Sequence, residues 1–120
     1  MRVAIVLTSL FISSVAIAAP PPFCKVDHHP VARLICADTE LSELEGDVFG
    51  GFNLWRSNAE GSERQAREMA HGQWIRDRNA HCGLSSISPD TSLDVLLEAK
   101  PCMLREYQER KKFYDSVMWN

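Results

Sequence analysis

The chain has 120 residues, with 13 lysines and arginines against 16 aspartates and glutamates, for a net charge of −3. That length suits one domain with one core, and the acidic balance argues against nucleic acid and anionic membranes as partners. Its four cysteines are an even set, so disulfides are the expected state if the chain reaches an oxidising compartment.

The first 18 residues read as an export signal. Arg2 supplies the positive start, Val3 to Ile12 the apolar run, and Ala16, Ile17 and Ala18 the small-x-small cleavage signature. Cleavage after Ala18 leaves Ala19 ahead of the prolines Pro20 to Pro22, with 12 basic against 16 acidic side chains and a mature net charge of −4. The apolar run is too short to cross a bilayer, which takes about 20 helical residues. Pro21, Pro22 and Phe23 before Cys24 are not the small and aliphatic residues expected before a lipidated cysteine. The expectation is a periplasmic or secreted protein with an N-terminal segment over residues 19–29, a helical domain over 30–118 and no membrane span.

Pro30 fits the first position of a short helix through Val31, Leu34 and Ile35 that ends near Cys36, with His29 as its cap. Asp38 or Thr39 then caps a second helix whose apolar positions, Leu41, Leu44, Val48, Phe52 and Trp55, step by three and four along one face. The stretch Asn58 to Ser62 breaks the pattern. Ser62 opens a third helix carrying Ala66, Met69, Ala70, Trp74, Arg78 and Cys82. After a polar loop with Pro89 comes a short apolar segment, Leu93 to Leu97. Pro101 starts the last helix, which turns Met103, Tyr107, Tyr114 and Val117 or Met118 inward. The fold class is therefore all-α: a small antiparallel helical hairpin or bundle of three to four helices, stapled by disulfides.

A hairpin of the second and third helices about residue 60 brings Cys36, Cys82 and the start of the last helix, with Cys102, to one end. Cys24 reaches the same end from the N-terminal segment. Pairing Cys24 with Cys36 and Cys82 with Cys102 closes the shortest loops and is preferred. Cys36 with Cys82 competes because the hairpin register favours it, and spacing alone leaves both open.

The series Cys24, Ile35, Cys36, Leu41, Leu44, Glu45, Trp74, Arg78, Cys82, Cys102, Tyr107 and Arg110 resembles the N-terminal domain family of the lysozyme inhibitor LprI, over about residues 23–117. The resemblance implies an exported helical domain that binds and inhibits lysozyme. It supplies no mapped inhibitory site, so no inhibitory residue is carried over. Four positions depart from the family's pattern: Ala32 where an acidic residue is usual, Glu45 for aspartate, Phe52 for tyrosine and His71 for glutamine.

Steps of four put Trp74, Arg78 and Cys82 on one helical face, which turns a guanidinium inward, where it needs a carboxylate or carbonyl partner. The hairpin register suggests a Glu45–Arg110 pair across Trp74, with Arg78 satisfied by Glu106 or by helix-end carbonyls. These charges read as structural and not catalytic. Gly50 and Gly51, with Gly72 opposite, suggest a kink or a close backbone approach between the second and third helices. Trp119 lies beyond the last packed turn.

A metal held by Cys24, His28, His29 and Cys36 is set aside: the spacing matches no common zinc knuckle, and oxidised cysteines do not ligate. No cofactor motif is present. An enzyme is not expected either. His81 and Cys82 are adjacent on a helix and point about 100° apart, Glu43 and Asp47 read as a solvated face, and no phosphate loop, nucleophile elbow or zinc helix occurs. Two classes of function remain. One is a lysozyme inhibitor that presents Asp90, Asp94 and Glu98 from the segment Gly83 to Lys100 to a basic muramidase. The other is a non-inhibitory envelope module that binds a different partner or supports assembly.

Overall fold

A computed structural model of the chain describes residues 20–118. The expected export signal, with its expected cleavage site, and Trp119 lie outside the described residues. Among those described, every regular element is helical: a 3-10 turn at Pro22–Lys25, then α1 at Pro30–Ala37, α2 at Thr39–Ser57, α3 at Gly61–His81, α4 at Leu93–Leu97 and α5 at Lys100–Val117.

Local chemistry sets the helix ends. Pro30 fills the first turn of α1, and the His29 ring accepts the Val31 amide at 3.3 Å. One residue separates α1 from α2, and it serves both: Asp38 ends the first and caps the second by accepting the Leu41 amide at 3.0 Å. Ser42 Oγ donates to the Ile35 carbonyl at 2.6 Å and so satisfies a helix-end acceptor of α1. At the far end of α2, the Arg67 guanidinium donates to the Trp55 carbonyl at 2.6 Å and ties the α2–α3 turn.

α3 closes with a Schellman motif that spacing did not reveal. The Gly83 amide bonds to the Ala80 carbonyl and the Leu84 amide to the Asn79 carbonyl at 2.7 Å, with Gly83 at φ +74°. That left-handed conformation favours glycine, and Leu84, 2% exposed, drops into the core directly after it.

The three long helices form a bundle in which α3 runs antiparallel to α2 while α5 runs parallel to it. Asp38 meets Lys100, Glu45 meets Tyr107, Asp47 meets Lys111 and Gly51 meets Tyr114, a near-constant offset of 62 to 64 residues. α2 packs more extensively on α5 than on α3, so the expected hairpin exists but is not the main contact of the fold. α1 and α4 cover one end. The core joins Val31, Leu34 and Ile35 of α1 to Leu41, Val48 and Phe52 of α2, Leu96 of α4, and Met103, Tyr107 and Tyr114 of α5.

Two expectations need correction here. α3 does not bury Ala66, Met69 and Ala70: all three are exposed, Met69 by 67%, and the buried residues of α3 are His71 and Arg78. Arg78 lies inward as its spacing from Trp74 and Cys82 implies, and His71 joins it because Tyr114 of α5 offers its ring a hydrogen-bond partner. The glycine reading is also revised. A Cβ on Gly51 would sit 2.8 Å from Tyr114 Cβ, so the close approach is between α2 and α5; at Gly50 and Gly72 no such crowding from a neighbouring helix exists.

The disulfides join Cys24 to Cys36 and Cys82 to Cys102, with Cα separations of 5.7 and 5.6 Å. The first fixes the N-terminal segment to the end of α1. The second fixes the end of α3 to the start of α5 and brackets the 83–99 segment.

Candidate functional site

A polar knot joins the three long helices near the C-terminal end of α3. Arg78 of α3 is 4% exposed. Its Nη1 donates to Tyr107 Oη at 2.9 Å, and its Nε and Nη2 donate to Asn79 Oδ1 at 3.0 and 2.8 Å. Tyr107 in turn donates to Glu45 Oε2, which lies 3.8 Å from Arg78 Nη1. Burial, and then the Glu45 charge, push the Tyr107 phenol far above its ordinary pKa, while Arg78 works in the opposite direction; the phenol therefore stays a donor. The indole of Trp74 lies 5.3 Å from the Arg78 guanidinium, adding a cation–π contact on the same side.

This knot overturns the proposed pairing. Glu45 meets Arg78 and Tyr107, not Arg110, and Glu106 meets His81, not Arg78. The error is one helical turn of register, because Glu45 lies level with Arg78 and not with Trp74. Arg110 instead sits among rings, its guanidinium 4.4 Å from the Phe113 centroid, 4.9 Å from Tyr114 and 5.6 Å from Trp74, with no hydrogen-bond partner for Nε and Nη2 among the described residues. Aromatic faces replace the expected carboxylate as its electrostatic environment.

Two turns toward the α2–α3 loop lies a second buried polar contact, between His71 and Tyr114 at 2.6 Å. The imidazole stacks on Phe52 with centroids 4.0 Å apart and planes within 9°. Burial first, then the charges of Arg110 and Arg78, hold the His71 pKa down to about 4. His71 and Phe52, both departures from the family pattern above, are thus in contact with each other.

The 83–99 segment is stitched to the domain at several points. Leu84 and Leu96 are buried, and Ile87 is half-buried against the core. Arg33 of α1 reaches across to donate to the carbonyls of Pro89 and Thr91 at 3.1 and 3.0 Å. Just beyond the segment, Lys100 pairs with Asp38 at 2.8 Å and with Glu40 at 3.6 Å, anchoring the start of α5 to the start of α2. Asp90, Asp94 and Glu98 are exposed, as are Leu93 by 37% and Val95 by 47%. None of the three carboxylates forms an ion pair among the described residues.

Sequence reasoning missed Arg33 and Asn79. Arg33 had a legible signal, a lone charge in an otherwise apolar helix, which must reach an acceptor; Asn79 had none, since its role depends on the rotamer of its neighbour. Among the described residues no group of three or more His, Cys, Asp or Glu side chains is placed to hold a metal ion, and no helix is long and apolar enough to cross a membrane. Chemically, the buried polar groups of the knot satisfy one another, whereas the carboxylates of the 83–99 segment face outward. Searches of protein-family models, curated proteins and solved structures find no match for this chain.

Proposed function

We propose that this is an exported binding protein that inhibits lysozyme, engaging a basic muramidase through the braced 83–99 segment. The observation that carries the reading is the character of that segment. It holds Asp90, Asp94 and Glu98 with no lysine, arginine or histidine, and those carboxylates have no ion-pair partner within the domain. A covalent bracket at Cys82 and Cys102 and the Arg33 clamp hold it in shape, so little ordering entropy is lost on docking. Unpaired surface carboxylates steer a cationic partner, and Leu93 and Val95 offer apolar area beside them. The family resemblance supports the same reading.

The test is lysis of peptidoglycan by lysozyme with and without the oxidised protein, at low and physiological salt. The expected result is stoichiometric, dose-dependent protection that weakens as salt rises, because the Debye length shortens to about 8 Å at physiological ionic strength. The triple variant Asp90→Asn, Asp94→Asn, Glu98→Gln should lose protection without losing thermal stability. A folded, oxidised sample that gives no protection would leave the resemblance one of sequence frame alone.

A further inference from the structure

The two disulfides sit in different surroundings. Cys82 packs against the core at the end of α3, two residues before the buried Leu84. Cys24 and Cys36 instead line an open depression of about 340 Å³, together with Asp27, His28, Arg33 and Leu93. The segment held by this bond, residues 20–28, has little else to hold it. Among the described residues, the hydrogen bonds of residues 20–28 are local: the Cys24 amide to Pro21, the Val26 and Asp27 amides to Phe23, and the His29 amide to Asp27. Val26 is 78% exposed, and Phe23 is the residue of this segment that packs against the core.

Phe23 occupies a particular place. It lines two cavities, of about 520 and 260 Å³, and Glu45 lines both as well. The smaller one also reaches Arg78 and Asn79. The N-terminal segment is therefore a strap across the open side of the polar knot, held down by one bond and one ring.

We propose that the Cys24–Cys36 bond is a site of thiol–disulfide exchange with a dithiol reductant, and that opening it frees residues 20–28 and exposes Glu45 further. The thiolate of the reductant attacks one Sγ, forming a mixed disulfide and releasing the other sulfur as a thiolate. The second thiol of the reductant then displaces the mixed disulfide, so the reductant leaves oxidised and the chain keeps two thiols, each taking up a proton as pH requires. With the bond open, Phe23 is tethered only through the chain, and the Glu45 carboxylate, 20% exposed in the closed form, becomes more accessible to solvent and to any ligand of the knot.

The test starts from the protein with both disulfides formed. It is treated with dithiothreitol at about pH 8 under native conditions, quenched by alkylation over time and mapped by peptide mass spectrometry. Cys24 and Cys36 should be alkylated at least about tenfold faster than Cys82 and Cys102, with the helical circular dichroism retained in the one-disulfide form, as expected of a local opening. Simultaneous reduction of both bonds, or earlier loss of Cys82–Cys102, would overturn the proposal. Hydrogen exchange on the Cys24→Ser, Cys36→Ser double variant tests the strap separately. Amides at positions 24, 26 and 27 should lose protection while those of α2 and α5 keep theirs; unchanged protection at 24–27 would refute the gating.

Discussion

Arg78 shows how one side chain fixes a bundle. A guanidinium this deeply buried is tolerable only because Asn79, Tyr107 and Glu45 take up its charge and protons, and those partners come from α3, α5 and α2 respectively. Replacing Arg78 by methionine leaves Glu45 without its cation in a low-dielectric setting. The expected cost is about 3 kcal/mol, or a fall of roughly 15 °C in melting temperature for a domain this size. An unchanged melting curve would mean the guanidinium is not held as described. His71 makes the second residue-scale prediction. The unfolded chain takes a proton on this histidine near pH 6.5, whereas the folded one resists until about pH 4. Its contribution to stability is therefore complete above about pH 6.5, declines as pH falls and is gone below about 4. The loss should be on the order of 2 kcal/mol once solvent screening is allowed for. Arg78, Arg110 and Tyr114 are the charged and titratable groups that face it. Urea unfolding of the wild type and of His71→Gln at pH 7 and pH 4 checks this: the variant should have the shallower pH dependence, and identical slopes would remove His71 as the cause.

At the scale of helices, the parallel contact of α2 with α5 is the most extensive among the described residues, and Gly51 permits it. Alanine at Gly51 would force its Cβ to 2.8 Å from Tyr114 Cβ, a crowding relieved only by moving one helix, with an expected loss of about 2 kcal/mol. Gly50 has open space where its Cβ would stand, so alanine there should stabilise α2 by about 0.5–1 kcal/mol. Opposite signs at neighbouring positions in chemical denaturation would establish the contact; two similar effects would refute it. The helices themselves were legible in the sequence, because proline, aspartate and the apolar step of three and four are local signals. The inward face of α3 was legible in part. Steps of four from Trp74 to Cys82 turn Arg78 inward, whereas His71 carries no such signal: Ala66, Met69 and Ala70 look more apolar, and its hydrogen bond to Tyr114 of α5 exists only after assembly.

At the scale of the whole molecule, a net charge of −3 is modest, and its distribution matters more than its size. The basic residues are mostly tied into helix ends, ion pairs and ring contacts, as with Lys100, Arg67 and Arg110, while the 83–99 segment keeps its carboxylates unneutralised. That asymmetry underlies the salt dependence expected of any complex with a basic partner. It could be read in part from the sequence, as a run with acidic and no basic side chains. The brace that gives the run a shape could not, because Arg33 lies 56 residues from the carbonyl of Pro89 that it clamps. The sequence by itself determined what short-range chemistry encodes: the helical class, the element order, the capping residues and the four-cysteine frame. Only the tertiary structure decided how the cysteines pair, that α5 is the main partner of α2, and that Glu45 faces Arg78 and Tyr107 and not Arg110. A single turn of register, about 5.4 Å, exchanges one set of charge partners for another, and that turn is set by the packing of Gly51 on Tyr114 and the burial of Tyr107, which no local pattern records.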